Sequence, residues 1–154
     1  MKKLLIITLL FIQKGVFAQN AQEIKVRTLQ SPIITYSTFE ELISPKVLNS
    51  AIELSLKVKL SKAQIYGSIN YLENTGIGLT GKLHIKYNNT NSTSANINYN
   101  EIPLSETPAL LFSQPAFGNG VDHYKFYYDL IIAPLTEFVA PQNNFTITFT
   151  LTNQ

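Results

Sequence analysis

Residues that could perform acid–base or nucleophilic chemistry are few in this sequence. It contains two histidines, His84 and His123, and no cysteine, so a nucleophile paired with a histidine base would have to be a serine. Neither the Gly-x-Ser-x-Gly turn of hydrolases nor the His-Glu-x-x-His helix of metalloproteases occurs. His84 falls at a polar position of an alternating segment, where a solvated histidine is expected. Asp122, which precedes His123, follows a Gly-Asn-Gly turn signal and is explained as a turn residue. The sequence therefore predicts no catalytic residue and no enzyme.

Ligand sets for metals and cofactors are also missing from the sequence. The acidic residues lack the Asp-x-Asp-x-Asp spacing of calcium loops, and two isolated histidines do not form a zinc site. Backbone carbonyl groups in a loop are an alternative source of calcium ligands that the sequence leaves open. Gly76, Gly78 and Gly81 are spaced like part of a phosphate loop, but a predicted strand follows them instead of a helix N-terminus. We expect no metal and no cofactor.

Aromatic side chains are the other candidates for a binding site. Tyr124 and Tyr128 share the apolar side of an alternating segment and are expected in the core. Tyr66 and Tyr127 fall on the opposite sides of their segments, where a ring can stack on a sugar. We therefore predict Tyr66 and Tyr127 as candidate ligand-stacking residues, in a chain without tryptophan.

The first 18 residues have the pattern of a secretory signal peptide. Lys2 and Lys3 precede an apolar run at 4–12, and a small-residue cleavage site ends at Ala18. The run is too short for a transmembrane helix, which needs about 20 apolar residues. We expect residues 1–18 to be removed and the protein to be secreted, periplasmic or at the cell surface, without a transmembrane segment.

Removal of this leader changes the charge of the protein. The leader holds three of the 12 basic residues, which leaves nine against 10 acidic ones. Partners such as nucleic acid require a basic surface, so we expect no nucleic-acid partner. Residues 19–154 have a normal length for one domain and contain no low-complexity linker, which predicts a single domain.

Period-two alternation of apolar and polar residues dominates residues 19–154. It is clearest at 51–60, where Ile52, Leu54, Leu56, Val58 and Leu60 share one face, at 123–132, and at 145–152. Shorter extended segments are predicted at 23–29, 32–39, 63–72, 81–89 and 95–102. The sequence favours an all-β, antiparallel, immunoglobulin-like sandwich of seven or eight strands, with an open barrel as the alternative.

Local signals add three expectations. Ser37–Ser44 carries capping boxes and is followed by Pro45, which predicts at most one short helical turn. The break at Ser61-Lys62 predicts a hairpin between its flanking strands. The polar stretch 88–94 predicts a loop tip that tolerates insertions.

Three stretches together suggest a family: "PIITYSTFEELIS", "AIELSLKVKLSKAQIYGSINY" and "YYDLIIAPLTEFVAPQNNFTITFTLTNQ". Their order resembles secreted bacterial pilin-like proteins of immunoglobulin-like fold, including the spore-coat-U type subunits, in which a threonine-rich strand also closes the chain. The resemblance implies a non-enzymatic structural or adhesive protein, such as a fimbria- or pilus-like subunit that joins itself or related subunits by strand complementation. The alternative is a monomeric extracellular binding domain for a glycan or a protein partner.

The closing segment needs a partner of its own. Residues 145–152 contain no charge and no proline, so an edge strand there would be open to another strand. The candidate partner within the chain is the segment around Ile24 and Val26. Paired inside the molecule, that segment completes a monomeric sandwich; inserted into a neighbour, Ile24 and Val26 become the strand donor that the family resemblance implies.

Overall fold

The computed structural model describes residues 22–30, 36–72, 81–118, 121–135 and 144–154. The predicted signal peptide and the first half of the segment 32–39 lie outside the described residues. The described chain forms nine strands and one helix: β1 Glu23–Thr28, α1 Phe39–Leu42, β2 Lys46–Val58, β3 Ala63–Leu72, β4 Leu83–Thr90, β5 Asn96–Ile97, β6 Ile102–Pro103, β7 Ala109–Gln114, β8 Asp122–Ile132 and β9 Asn144–Asn153.

The strands form two antiparallel sheets that pack face to face. The first sheet has the order β1-β2-β8-β4-β6, and the second has the order β5-β7-β3-β9. The predicted all-β antiparallel sandwich is confirmed, with nine strands where seven or eight were expected. The predicted helical turn is confirmed as α1, where the Thr38 hydroxyl accepts a hydrogen bond from the Glu41 N–H at 3.2 Å.

Alternating side chains of both sheets build the core. Ile52, Leu54, Leu56 and Val58 are buried as predicted. Phe112 of β7 and Phe126 of β8 stack across the sheets with their ring centroids 3.7 Å apart. Leu60, predicted to point inward with them, is 66% exposed, because β2 ends at Val58 and the chain then leaves the sheet.

The predicted hairpin between β2 and β3 is wrong. β2 pairs with β1 and β8 in the first sheet, whereas β3 pairs with β7 and β9 in the second. The connection crosses between the sheets: the Lys59 carbonyl accepts from the Phe117 N–H, and Lys62 exchanges backbone hydrogen bonds with Gln154. A crossover needs no two-residue turn, which explains why the break lacks the Asn-Gly signal of a hairpin.

The polar stretch 88–94 is only partly a loop. Its first three residues belong to β4, which ends at Thr90. Its hydroxyl and amide groups then bond to neighbouring strands; the Asn91 Oδ1, for example, accepts from the Lys125 N–H at 2.7 Å. The expected free loop tip is therefore a hydrogen-bonded connection from the first sheet to the second, where β5 begins.

Candidate functional site

The C-terminal strand β9 lies at one end of the second sheet. It pairs with β3 along ten antiparallel positions without a register shift. The expected pairing of this strand with the N-terminal segment is wrong, because β1 pairs with β2 from Glu23↔Lys57 to Thr28↔Ile52. The two termini supply edge strands to different sheets, so they lie beside each other without sharing a ladder.

Backbone hydrogen bonds show which residues of β9 face its free edge. Gln154 and Lys62 donate to each other's carbonyl groups at 2.9 and 3.1 Å, so the amide of Gln154 points toward β3. In an antiparallel ladder such reciprocal pairs recur at every second residue. The even-numbered residues of β9 therefore bond to β3. The N–H and C=O groups of five residues face the open edge: Phe145, Ile147, Phe149, Leu151 and Asn153.

The four edges of the two sheets differ in how they resist another strand. β1 places Glu23, Lys25 and Arg27 along its edge, and natural proteins use such charges to block edge pairing. β5 and β6 have two residues each, and β6 contains Pro103, which lacks an N–H donor. β9 has ten residues without charge or proline. Within the described part of the chain, β9 is the one edge that carries none of these protective features.

The apolar face of β9 is incompletely covered. Phe145, Ile147, Phe149 and Leu151 are half-buried and pack against the core, while the threonines between them are exposed. The alternation predicted for this strand is confirmed. An extra strand beside β9 would therefore bond to its free backbone groups and cover more of its apolar side chains.

The two predicted strand-donor residues lie on the neighbouring edge. Ile24 is half-buried against the core, and Val26 is 49% exposed. Both face Leu56 and Leu54 of their own chain in the β1–β2 register. Their donation to another molecule stays a prediction, and it would require this strand to leave β2.

The two predicted stacking tyrosines lie in different sheets. Tyr66 belongs to β3, where its hydroxyl donates to the Gln64 Oε1 at 3.1 Å. Tyr127 belongs to β8, where its hydroxyl bonds to the carboxylate of Glu53. Both are half-buried. The sandwich places the two rings on opposite outer faces, so they cannot contact one sugar together.

A more exposed aromatic residue was missed by the sequence reasoning. Tyr99 is 66% exposed and meets the Tyr87 ring edge-on, with centroids 5.3 Å apart. Tyr87 contacts the buried Tyr128 ring in the same manner at 6.2 Å. Tyr99 lies in the predicted extended segment 95–102, but the strand there, β5, ends at Ile97, so the alternation does not show that the Tyr99 ring is exposed.

A shallow groove of about 180 Å³ lies on the outer face of the first sheet. Lys25, Lys57, Lys125 and His123 line it. Lys25 pairs with Glu23, and Lys125 pairs with Glu53. Each of these ion pairs has an N···O distance of 3.3 Å. Among the described residues, Lys57 has no ion-pair partner. The groove thus offers an excess positive charge to an anionic group.

The histidines do not come together. His84 of β4 lies opposite Ile131, near the end of β8. His123 lies near the start of β8, opposite Lys57 of β2. His84 bonds to the Glu101 carboxylate and to the Gly81 carbonyl. In the described ranges, no three histidine or acidic side chains are grouped to hold a metal, and no helix is long and apolar enough to cross a membrane.

Comparison with known proteins adds no relative to these observations. No family model, no curated protein and no solved structure matches the chain. The resemblance to pilin-like proteins stays a prediction, and the function has to be argued from the edge of β9 and the groove on the first sheet.

Proposed function

We propose that this chain is a secreted, non-enzymatic structural or adhesive protein that assembles by adding a β-strand at the free edge of β9. The leader sequence supports secretion. The pilin-like order of the alternating segments supports a fimbria-like role, in which subunits join through strands. The sequence has few titratable residues at catalytic spacing, which supports a non-enzymatic role.

One observation carries the proposal: the contrast between β9 and the other three sheet edges. A soluble protein that leaves ten uncharged residues at an edge exposes a template for another strand. The same chain protects β1, β5 and β6 by charge, shortness and proline. Among the described strands, β9 is therefore the edge at which another strand can be added.

A variant that places charge on this edge tests the proposal. Thr148 and Thr150 are exposed on the outer face, so Thr148→Lys/Thr150→Lys adds charge without entering the core. Asn96→Lys/Leu110→Lys is the matched control, because both positions are exposed on the far strands β5 and β7. We expect the Thr variant to lose assembly and attachment to the secreting cells while the control keeps them. Equal assembly and attachment in both variants, at equal stability, would reject strand addition at β9.

The groove on the first sheet favours a second candidate function, a monomeric domain that binds an acidic glycan. Lys57 is the best residue to test, because its removal breaks no ion pair among the described residues. We expect Lys57→Gln to weaken binding to a uronic-acid oligosaccharide at low salt, with a neutral oligosaccharide as the control. Equal binding of both sugars by the unchanged protein would exclude this candidate.

A further inference from the structure

We propose that the partner strand at the β9 edge is the β9 strand of a second copy of this chain, antiparallel to the first about a twofold axis. This inference rests on the proposed function and specifies its partner. The axis runs perpendicular to the second sheet, so two four-stranded sheets become one continuous sheet of eight strands. Each copy presents the same surface to the other.

The direction of the backbone groups restricts the register. In an antiparallel ladder, residues that exchange hydrogen bonds must both point their N–H and C=O groups at the partner. On β9 these are the odd-numbered residues, as the bonds between Gln154 and Lys62 establish. Pairing centred on Phe149 uses all five of them: Phe149 meets its own copy, Ile147 meets Leu151, and Phe145 meets Asn153. This register gives about ten hydrogen bonds between the chains.

Side chains are compatible with the same register. The pairing places apolar residues opposite apolar residues on the inner face, apart from Phe145 opposite Asn153, and threonines opposite threonines on the outer face. Cross-strand aromatic and threonine pairs are among those that stabilise sheets. β9 has no charge, so a second β9 meets no like-charged residue.

This self-complementarity favours the β9 strand of a second copy over a β1 strand as the partner. β1 would bring Glu23, Lys25 and Arg27 against an edge without charges. Its apolar residues Ile24 and Val26 already face β2 of their own chain. A β9 strand from another copy meets the free edge without unpairing from β3, because no described residue bonds to the backbone groups on that side.

A charge-reversal experiment tests the inference. In the proposed register Thr148 of one copy lies opposite Thr150 of the other, so Thr148→Lys/Thr150→Lys brings four lysines together and Thr148→Glu/Thr150→Glu brings four glutamates together. Sedimentation equilibrium should show a wild-type dimer with a Kd on the order of 1–100 µM, as suits a small interface. Each double variant should dimerise at least about tenfold more weakly. Mixing the two variants should restore dimerisation, whereas Asn96→Lys/Leu110→Lys should dimerise like the wild type.

Cysteine pairs test the register, because the natural sequence has none. Under mild oxidation, mixed Thr148→Cys and Thr150→Cys chains should form a disulfide-linked dimer more readily than either variant alone. A faster reaction of Thr148→Cys with itself would instead place the centre at residue 148 and overturn the register centred on Phe149.

The outcomes separate this inference from the proposed function. A wild-type protein that stays monomeric at several hundred micromolar overturns the second-copy partner. If the lysine variant then still loses attachment to cells, strand addition at β9 stands and its partner is a different chain. Wild-type dimerisation that both double variants retain shows association through another surface, and overturns the inference. Retained attachment in the lysine variant rejects the proposed function.

Discussion

Glu53 occupies a position that alternation assigns to the outer face, yet its neighbours cover it. The residue is 6% exposed, and its Oε1 accepts from the Ser55 hydroxyl at 3.0 Å and lies 3.3 Å from the Lys125 ammonium. Burial by itself raises the pKa of Glu53. Hydrogen bonds from Ser55, Lys125 and Tyr127, with the charge of Lys125, outweigh burial and lower that pKa below its ordinary value. The ionised carboxylate therefore stabilises the fold.

Acid should remove this stabilisation. A carboxyl group whose pKa is lower in the folded state contributes stability above its unfolded pKa and loses it as the pH falls through the folded pKa. We expect the free energy of unfolding to decrease below about pH 4.5, and Glu53→Gln to flatten that decrease. At pH 7 Glu53→Gln should cost about 1–3 kcal/mol, because a charge-assisted hydrogen bond is lost. Urea unfolding at several pH values measures both effects. Glu23→Gln is the exposed control, and an identical acid slope in Glu53→Gln and wild type would contradict the assignment.

Tyr128 presents the opposite situation, a buried polar atom without a partner. Its hydroxyl has no hydrogen bond among the described residues, and burial raises the pKa of Tyr128 far above its ordinary value. An unpaired buried hydroxyl costs about 1–3 kcal/mol. We expect Tyr128→Phe to leave the free energy of unfolding unchanged or to raise it by about 1 kcal/mol. Tyr127→Phe, which removes a hydrogen bond to Glu53, should lower it. Destabilisation of Tyr128→Phe by more than about 1 kcal/mol would reveal a partner for its hydroxyl.

At the scale of elements, long alternating segments could be predicted and their partners could not. β2, β8 and β9 are each at least ten residues long and turn their alternating apolar side chains toward the core, so their period of two is visible in the sequence. β5 and β6 are too short to show a period. The neighbours of each strand depend on crossovers such as 59–62, whose composition does not indicate which sheet follows. The open edge at β9 was therefore visible as a lack of charge, while its partner β3 was not.

The polar connection after β4 bonds to a buried side chain, Gln114, which its composition does not indicate. Gln114 is 1% exposed, and its amide group is bonded at both ends. Its Oε1 accepts from the Ser92 hydroxyl at 2.7 Å, and its Nε2 donates to the Ser94 Oγ at 2.8 Å. Because the loop completes the hydrogen bonds of a buried side chain, it cannot move freely.

Insertion of six Gly/Ser residues after Ser92 should therefore destabilise the protein, against the expectation from sequence. Separating Ser92 from Ser94 leaves a buried amide group unsatisfied, which costs about 1–3 kcal/mol. The same insertion after Gly118, which is exposed, is the control and should cost less. Thermal unfolding of both variants measures the difference. Equal melting temperatures would show that the hydrogen bonds of Gln114 are replaced by water.

At the scale of the whole molecule, β1 and β9 form neighbouring edges of the two sheets and differ in charge. β1 closes the first sheet with a charged edge, and β9 ends the second sheet with an uncharged one. Within the described part of the chain, three protected edges and one exposed edge would confine the proposed association to β9, since a second open edge would allow unlimited sheet growth. Under the proposed function, the charges of β1 would therefore matter to assembly without any contact between β1 and another molecule.

Deleting residues 22–30 tests whether β1 completes its own sandwich or serves a neighbour. β1 pairs with β2 at six positions, Ile24 packs against the core, and the Gln22 amide donates to the Ser61 hydroxyl at 2.9 Å. We expect the deletion to lower the melting temperature by several degrees, at about 3 °C per kcal/mol for a domain of this size. Val26→Ala, at a position 49% exposed, should change it little and serves as the control. If Ile24 and Val26 instead act as a strand donor, the shortened chain keeps its melting temperature and loses assembly. An unchanged melting temperature with unchanged assembly would contradict both roles of β1 and leave β2 able to form a stable edge by itself.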